Sequence, residues 1–174
     1  MDTNGHESSP LMKRAAAFIA RRAHSRGELL RKLIGGHEND EAFNAEIETV
    51  LDRLEHLNLL NDAEYAYNFA LNKIKDSGWG EEKVREALYD RAVAKAVVVR
   101  ALDRVREEIA PEGMDDALME YVKDYCRKHG TPSTVKEARK LAVRLAGRGF
   151  DEDRTAGALQ RVIPPEIFRH FERE

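Results

Sequence analysis

The sequence is poor in the features that most directly announce a chemistry or a compartment. It has one cysteine, Cys126, so neither an internal disulfide nor a thiolate cluster can form, and a reducing, cytoplasmic setting is the expectation. No apolar run approaches the roughly 18 residues that span a bilayer, so no membrane association is expected. The first ten residues lack a positive charge followed by an apolar stretch. They read as a short disordered tail rather than a secretory signal. Basic charge is not in excess either: 29 Lys and Arg stand against 32 Asp and Glu, for a net charge of −3. That balance argues against nucleic-acid coating through the overall field.

Catalytic signatures are equally scarce. There is no glycine-rich phosphate loop ending in Lys-Ser/Thr and no His-Glu-x-x-His pattern, and the six histidines show no metal-ligand spacing. Cys126 has His129 three residues on, a helical neighbour, but no third partner is identifiable, so a cysteine at the edge of the core is the simpler reading. No catalytic residue, metal or cofactor is expected, and the chain reads as a non-enzyme.

What is present is helical periodicity. Hydrophobic residues make up 42% of the 174 positions and charged ones 35%, with a mean hydropathy of −0.61. Apolar stripes recur at helical spacing: Leu11, Ala15, Phe18 and Ile19; Leu29, Leu30 and Leu33; Ile47, Val50, Leu51 and Leu54. They continue through Val98, Ala101, Leu102 and Val105, then Leu118 and Val122, then Ala138, Leu141 and Leu145, and end at Phe168 and Phe171. Ala92–Val99 is strand-like in composition, but its apolar spacing runs on into Val105 and predicts helix. Ser25-Arg-Gly-Glu28 and Thr134-Val-Lys-Glu137 have the form of capping boxes, and Asn61-Asp62 and Asp151 supply further cap oxygens. Gly35-Gly36, Gly78, Gly80, Gly113, Gly130 and Gly147/Gly149 are expected to mark stops. The fold class is all-α.

Three segments share one pattern of helix end, basic or glycine-rich turn, and short amphipathic helix: Ala20 to Leu33, Asp76 to Leu88, and Ala146 to Leu159. Superposed, His24, Trp79 and Phe150 occupy one position, a ring placed to staple the following first turn. Leu33, Leu88 and Leu159 share another on the buried face. Each unit is a three-helix repeat too small to bury much surface alone, so neighbours are expected to stack into an elongated, curved body. The expected boundaries are a tail at 1–10, repeats at 11–60 and 61–110, an acidic helical connector at 111–132, and a third repeat with a C-terminal helix at 133–174.

Those turns, together with Leu57-Asn-Leu-Leu-Asn-Asp-Ala-Glu-Tyr-Ala-Tyr-Asn-Phe69, resemble the RecX family of small regulators of the RecA recombinase. The matching elements are Ala20 to Leu29, Leu60-Asn-Asp62 with Tyr65, Ala66 and Phe69, Gly78-Trp-Gly80 leading to Leu88, and Leu141 to Phe150. They occur in order over most of residues 12 to 163. The sequence departs from the family pattern in its longer Gly36–Asp40 loop, in Arg91-Ala-Val93 where a glycine turn is common, and in its expanded acidic connector. The resemblance implies a non-enzymatic protein that lies in the groove of RecA filaments, inhibits their ATP hydrolysis, strand exchange and growth, and binds DNA weakly. A monomer is expected.

Charge placement says where such a partner would be met. Arg21, Arg22, Arg26, Arg31 and Lys32 crowd one end, with Glu28 alone opposing them. Lys136, Lys140, Arg144 and Arg148 recur every fourth residue near the other, away from Leu141 and Leu145. Between them lie Glu107, Glu108, Glu112, Asp115, Asp116, Glu120 and Asp124. Such runs are commonly plain solvated faces. Their polarisation along a repeat protein points to electrostatic registration on a large partner, with Arg21, Arg22, Arg26, Lys136, Lys140, Arg144 and Arg148 as the contacts. The competing reading is a DNA-binding module of helix-turn-helix-like repeats acting without a recombinase. A tetratricopeptide-like scaffold is disfavoured because no period of about 34 residues recurs.

Overall fold

The structure, a computed structural model, describes residues 9–36, 40–109 and 111–171. Six helix starts show directly why helices begin where they do. Ser9, Ser25, Asp40, Asn61, Thr134 and Asp151 each accept the backbone N–H three residues on, at 2.8–3.3 Å. Among the described residues there are ten helices and no strand: α1 (Pro10–Ile19), α2 (Arg26–Ile34), α3 (Glu41–His56), α4 (Asp62–Lys75), α5 (Glu81–Asp90), α6 (Lys95–Glu108), α7 (Pro111–His129), α8 (Val135–Ala146), α9 (Glu152–Val162) and α10 (Pro165–Phe171). None is long and apolar enough to cross a membrane.

Several local expectations need correction. In both capping boxes the hydroxyl caps and the carboxylate faces the N-cap N–H, but each carboxylate also takes a second partner: Glu28 is drawn to Arg22 and Glu137 accepts the Ser133 N–H. Asp62 does not cap its own helix. Asn61 does, and Asp62 accepts the Arg26 N–H at 2.6 Å instead. Residues 92–94 are a turn rather than helix, with Ala92 left-handed at φ 54°. Gly113 lies inside α7 and stops nothing. Of the expected N-terminal tail, residues 1–8 lie outside the described residues, whereas Ser9 and Pro10 open α1. In the Gly36–Asp40 loop, residues 37–39 also lie outside them.

The chain packs as two compact units, one formed by residues up to 68 together with 88–101, the other by 69–87 together with residues from 102 on. In the first, α1, α2 and α3 close around Leu29, Leu33, Ile47, Val50, Leu51 and Leu54, with Leu11, Met12 and Ala15 from α1. In the second, Leu118 and Val122 of α7 join Leu141, Leu145, Phe150, Leu159, Ile163 and Phe168. The expected acidic connector therefore contributes an apolar face to a core, with Asp116 and Glu120 exposed away from it and Asp115 beside Leu118 at its edge. Burying a leucine side chain contributes about 1.5–3 kcal/mol, so these clusters are the main cohesive term of each unit.

At the expected repeat positions the three leucines match in burial and the three rings do not. Leu33, Leu88 and Leu159 are fully buried, as are His24 and Phe150 nearly so. Trp79 is half-buried, its ring flanked by the ammonium groups of Lys73 at 4.9 Å and Lys83 at 4.7 Å, with Phe69 edge-on. Within the second unit, the start of α5 meets the turn after α8 backbone to backbone. Gly80 donates to the Arg148 carbonyl at 2.7 Å and Glu82 to that of Gly149 at 3.3 Å. A Cβ at Gly80 would stand 2.1 Å from the Gly149 carbonyl oxygen, so only glycine permits the approach.

Candidate docking surfaces

The two basic segments have opposite fates. Around α2 the cations are taken up internally. Arg22 forms a fork with Glu28 at 2.9 and 3.1 Å, and the Tyr65 hydroxyl donates to the same carboxylate at 3.3 Å. Burial pushes the Glu28 carboxyl up, but hydrogen bonding and charge from Arg22 outweigh it and hold the group below its usual range. The same pair raises Arg22, and burial with the nearby Glu28 charge raises Tyr65.

Arg26 is engaged more heavily. Its guanidinium reaches three carboxylates along α3: Glu48 at 2.5 Å, Asp52 at 2.8 Å and Glu55 at 3.4 Å. Its backbone N–H goes to Asp62, whose carboxyl burial pushes upward. Arg31 donates to the Asp90 carbonyl at 2.5 Å and the Ser25 hydroxyl to that of Arg91. These bonds tie α2 to α3 and to the turn after α5. Of the three contacts expected here, Arg21 alone is exposed and lacks an ion partner among the described residues.

On α8 the four-residue spacing itself separates the predicted cations. Each step of four residues advances about 40° around a helix of 3.6 residues per turn, so the row turns by about 80° from Lys136 to Arg144, and Arg148 lies in the turn past the end of α8. Lys136 and Lys140 point to solvent. Arg144 instead donates to the Tyr121 hydroxyl at 3.0 Å and lies 5.7 Å from the Tyr125 ring centre. Arg148 stacks at 3.8 Å over Tyr121 and donates to the carbonyls of Ser77 and Gly78 at 2.6 and 3.1 Å. The tyrosines that receive these arginines were not singled out by the sequence. Their signal is a four-residue step along α7, Tyr121, Tyr125 and His129, with the last two rings 4.7 Å apart.

Arg139 belongs to the same basic run but was not among the expected contacts, and Val143 was not singled out; both share the solvent face with Lys136 and Lys140. Val143 is 73% exposed, the most open large apolar side chain among the described residues. Glu137, the single acid of α8, is turned toward the helix start by the Ser133 N–H and hydroxyl, which hold its carboxyl below the usual range.

Nothing in these surfaces has the form of a reactive centre. Burial pushes the Cys126 thiol up, which disfavours the nucleophilic thiolate. Among the described residues no group of His, Cys, Asp and Glu has the arrangement of a metal site. A cleft of about 660 Å³ beside the start of α5 is lined mainly by acids and bases of both signs, as in the pair of Arg106 with Glu81 at 2.8 Å.

No protein-family model matches the chain. Curated relatives do. The regulatory protein RecX of Prosthecochloris aestuarii is 30% identical over 154 residues, covering 87% of this chain and 93% of its own length. That of Pseudomonas putida strain GB-1 is 38% identical over 152 residues, covering 82% and 93%. The chain belongs to the RecX family. The fold agrees: the crystal structure of RecX from Lactobacillus salivarius superposes with a TM-score of 0.69 over 87% of this chain and 93% of that one, at 16% identity. In this RecX-family chain Lys136 and Lys140 of α8 are exposed and lack an ion partner among the described residues, whereas Arg22 and Arg26 at α2 are paired internally.

Proposed function

We propose that this chain binds the filament of a RecA-type recombinase and restrains it, lowering ATP hydrolysis, strand exchange and filament growth without a catalytic step of its own. Membership of a family of regulatory proteins supports regulation. The observation that carries the choice of surface is the exposed pair Lys136 and Lys140 on α8 with Val143 beside them, set against Arg22 and Arg26 at α2, which are already paired with carboxylates. Arg21 supplies a further contact, and Arg144 joins it where its guanidinium edge is exposed. Arg22, Arg26 and Arg148 act by shaping the units that carry these contacts.

Three tandem repeats at 11–60, 61–110 and 133–174 form the working body of a monomer that touches neighbouring recombinase subunits at once. Several modest contacts on one body reinforce each other. A protein that fits one subunit arrangement better than the next shifts the filament toward it and away from the rearrangement that ATP turnover requires. Weak contact with filament DNA accompanies the protein contact rather than driving it, in keeping with the net charge of −3.

The test is to titrate the full chain into a RecA–single-stranded DNA filament and follow ATP hydrolysis. Hydrolysis should fall. A substoichiometric end point assigns the effect to blocked growth, and a roughly stoichiometric one to groove occupancy. Unchanged hydrolysis with no co-sedimentation overturns the reading. Tight binding to duplex DNA alone, collapsing with moderate salt, transfers the function to DNA.

A further inference from the structure

We infer that the outer face of α8 is a docking site for an acidic protein segment that inserts one aliphatic or aromatic side chain. This deepens the filament reading and rests on it for the identity of the larger partner. The face is a shallow concavity of about 630 Å³ lined by Val135, Lys136, Arg139, Lys140 and Val143. Its floor is two valines and its rim is entirely cationic.

Each half of that chemistry asks for something from the occupant. Val143, at 73% exposed, gains from contact with an apolar group and from nothing in a solvated phosphodiester. Lys136 and Lys140 are exposed and lack an ion partner among the described residues, and Glu137 is held at the helix start by Ser133. The rim thus presents charge of one sign, which selects carboxylates and repels basic segments. A nucleic-acid strand would satisfy the rim but would place phosphates over the valines. The aromatic side chains that stack bases are elsewhere: Tyr121 and Tyr125 are engaged by Arg148 and Arg144 on the flank of α8 toward α7. A second copy of this chain would have to offer acids of its own, of which Glu120 and Asp124 on α7 already pair with Lys123 and Arg127, and self-association is an outcome of the test.

The experiment titrates the full chain with a short synthetic peptide of aspartate and glutamate around one central leucine, followed by amide chemical-shift changes. Controls are the same peptide with alanine for leucine, and oligodeoxythymidylate. Shifts are expected on α8 from 135 to 143, with affinity dropping about tenfold in K136Q/K140Q, as two lost ion pairs of ordinary strength imply. In Val143→Ser the leucine peptide should weaken severalfold and the alanine peptide hardly at all. Both variants alter exposed helix positions, and unchanged circular dichroism confirms that they fold.

The inference is overturned if the leucine and alanine peptides bind equally, or if Val143→Ser leaves the leucine peptide unaffected. It is also overturned if oligodeoxythymidylate takes the α8 face more tightly than the peptide, or if the chain self-associates through that face. Co-sedimentation of the parent chain and both variants with the recombinase filament separates the two levels. Parent and variants binding alike removes the α8 site and leaves the filament reading intact. Peptide binding without filament binding removes the filament reading and leaves the site.

Discussion

Two glycine-to-alanine substitutions in the second unit should move stability in opposite directions, and the difference tests the backbone-to-backbone approach of α5 and the turn after α8. At Gly80 the new Cβ would lie 2.1 Å from the Gly149 oxygen, 2.2 Å from its carbonyl carbon and 2.5 Å from the Phe150 nitrogen. All three are backbone atoms, so relief requires the segments to separate. Overpacking of this kind costs about 1–3 kcal/mol. Separation also weakens the bonds from Gly80 to Arg148 and from Glu82 to Gly149, worth about 1 kcal/mol each. Reduced freedom of the unfolded chain returns about 0.4–1 kcal/mol. Gly80→Ala should therefore destabilise by about 2–4 kcal/mol, which for a chain of this size lowers the melting temperature by about 5–15 °C. At Gly157, inside α9, an added Cβ meets nothing within 4 Å. There alanine should stabilise by about 0.8–1 kcal/mol through helix propensity alone. Thermal melting by circular dichroism reads both changes, and hydrogen exchange at the Gly80 and Glu82 amides localises the first. A Gly80→Ala protein that melts with the parent and keeps those amides protected would refute the close approach.

The remaining predictions concern the first unit. His24 is buried, its Nδ1 paired with the Arg22 carbonyl at 2.9 Å and its Nε2 without a partner. Burial, opposed by the hydrogen bond to the Arg22 carbonyl and by the Glu28 charge but reinforced by the charges of Arg22 and Lys32, lowers its pKa below 6.5. The unfolded chain therefore takes up the proton first, and the contribution of neutral His24 is complete above that pH and declines as acidity increases. His24→Phe should flatten this dependence, and an unchanged slope of melting temperature against pH would refute the assignment. Arg26→Met leaves Glu48, Asp52 and Glu55 without their shared cation and should cost about 1–2 kcal/mol, less at high salt, where the residual repulsion is screened. Equal losses at low and high salt would show that the clamp is packing rather than charge. Ala92→Gly removes the strain of a left-handed alanine at φ 54° and should stabilise by about 1 kcal/mol, read as a raised melting temperature. A lowered one would mean that the methyl group is needed where it lies against Gly27.

Helix type was legible because both signals that fix it are local: the apolar stripe and the cap. Leu29 and Leu33, or Leu141 and Leu145, sit on a buried face whatever packs against them. What escaped were choices made between competing partners. Glu28 has the right spacing for a capping box with Ser25 and faces the Ser25 N–H, but a guanidinium offers a stronger bond than a backbone amide, and Arg22 takes the larger share of the carboxylate. Asp62 looked like a cap and was drawn across to Arg26 for a reason no local pattern carries. Gly113 read as a stop because glycine disfavours helix by only about 1 kcal/mol, which the apolar face of α7 outweighs. Val143 was overlooked because a valine beside leucines in sequence is ordinarily core, and only its angular position on α8 exposes it.

Equal counts of cations at α2 and α8 conceal unequal availability, and the cause lies in what each helix packs beside. The neighbour of α2 is α3, whose face toward Arg26 carries Glu48, Asp52 and Glu55 at steps of four and three residues, a ladder matched to one guanidinium. Arginine there exchanges solvent for fixed carboxylates, and a partner would have to displace all three to use it. The neighbours of α8 include α9 and α10 on its buried side, and Lys136 and Lys140 have no ion partner among the described residues. A lysine held in solvent keeps its full attraction for an incoming charge, whereas a paired arginine offers only the difference between old and new partners. Binding strength therefore follows the unneutralised cations, and charge changes at Lys136 and Lys140 should alter partner affinity while those at Arg22 and Arg26 alter the melting temperature first.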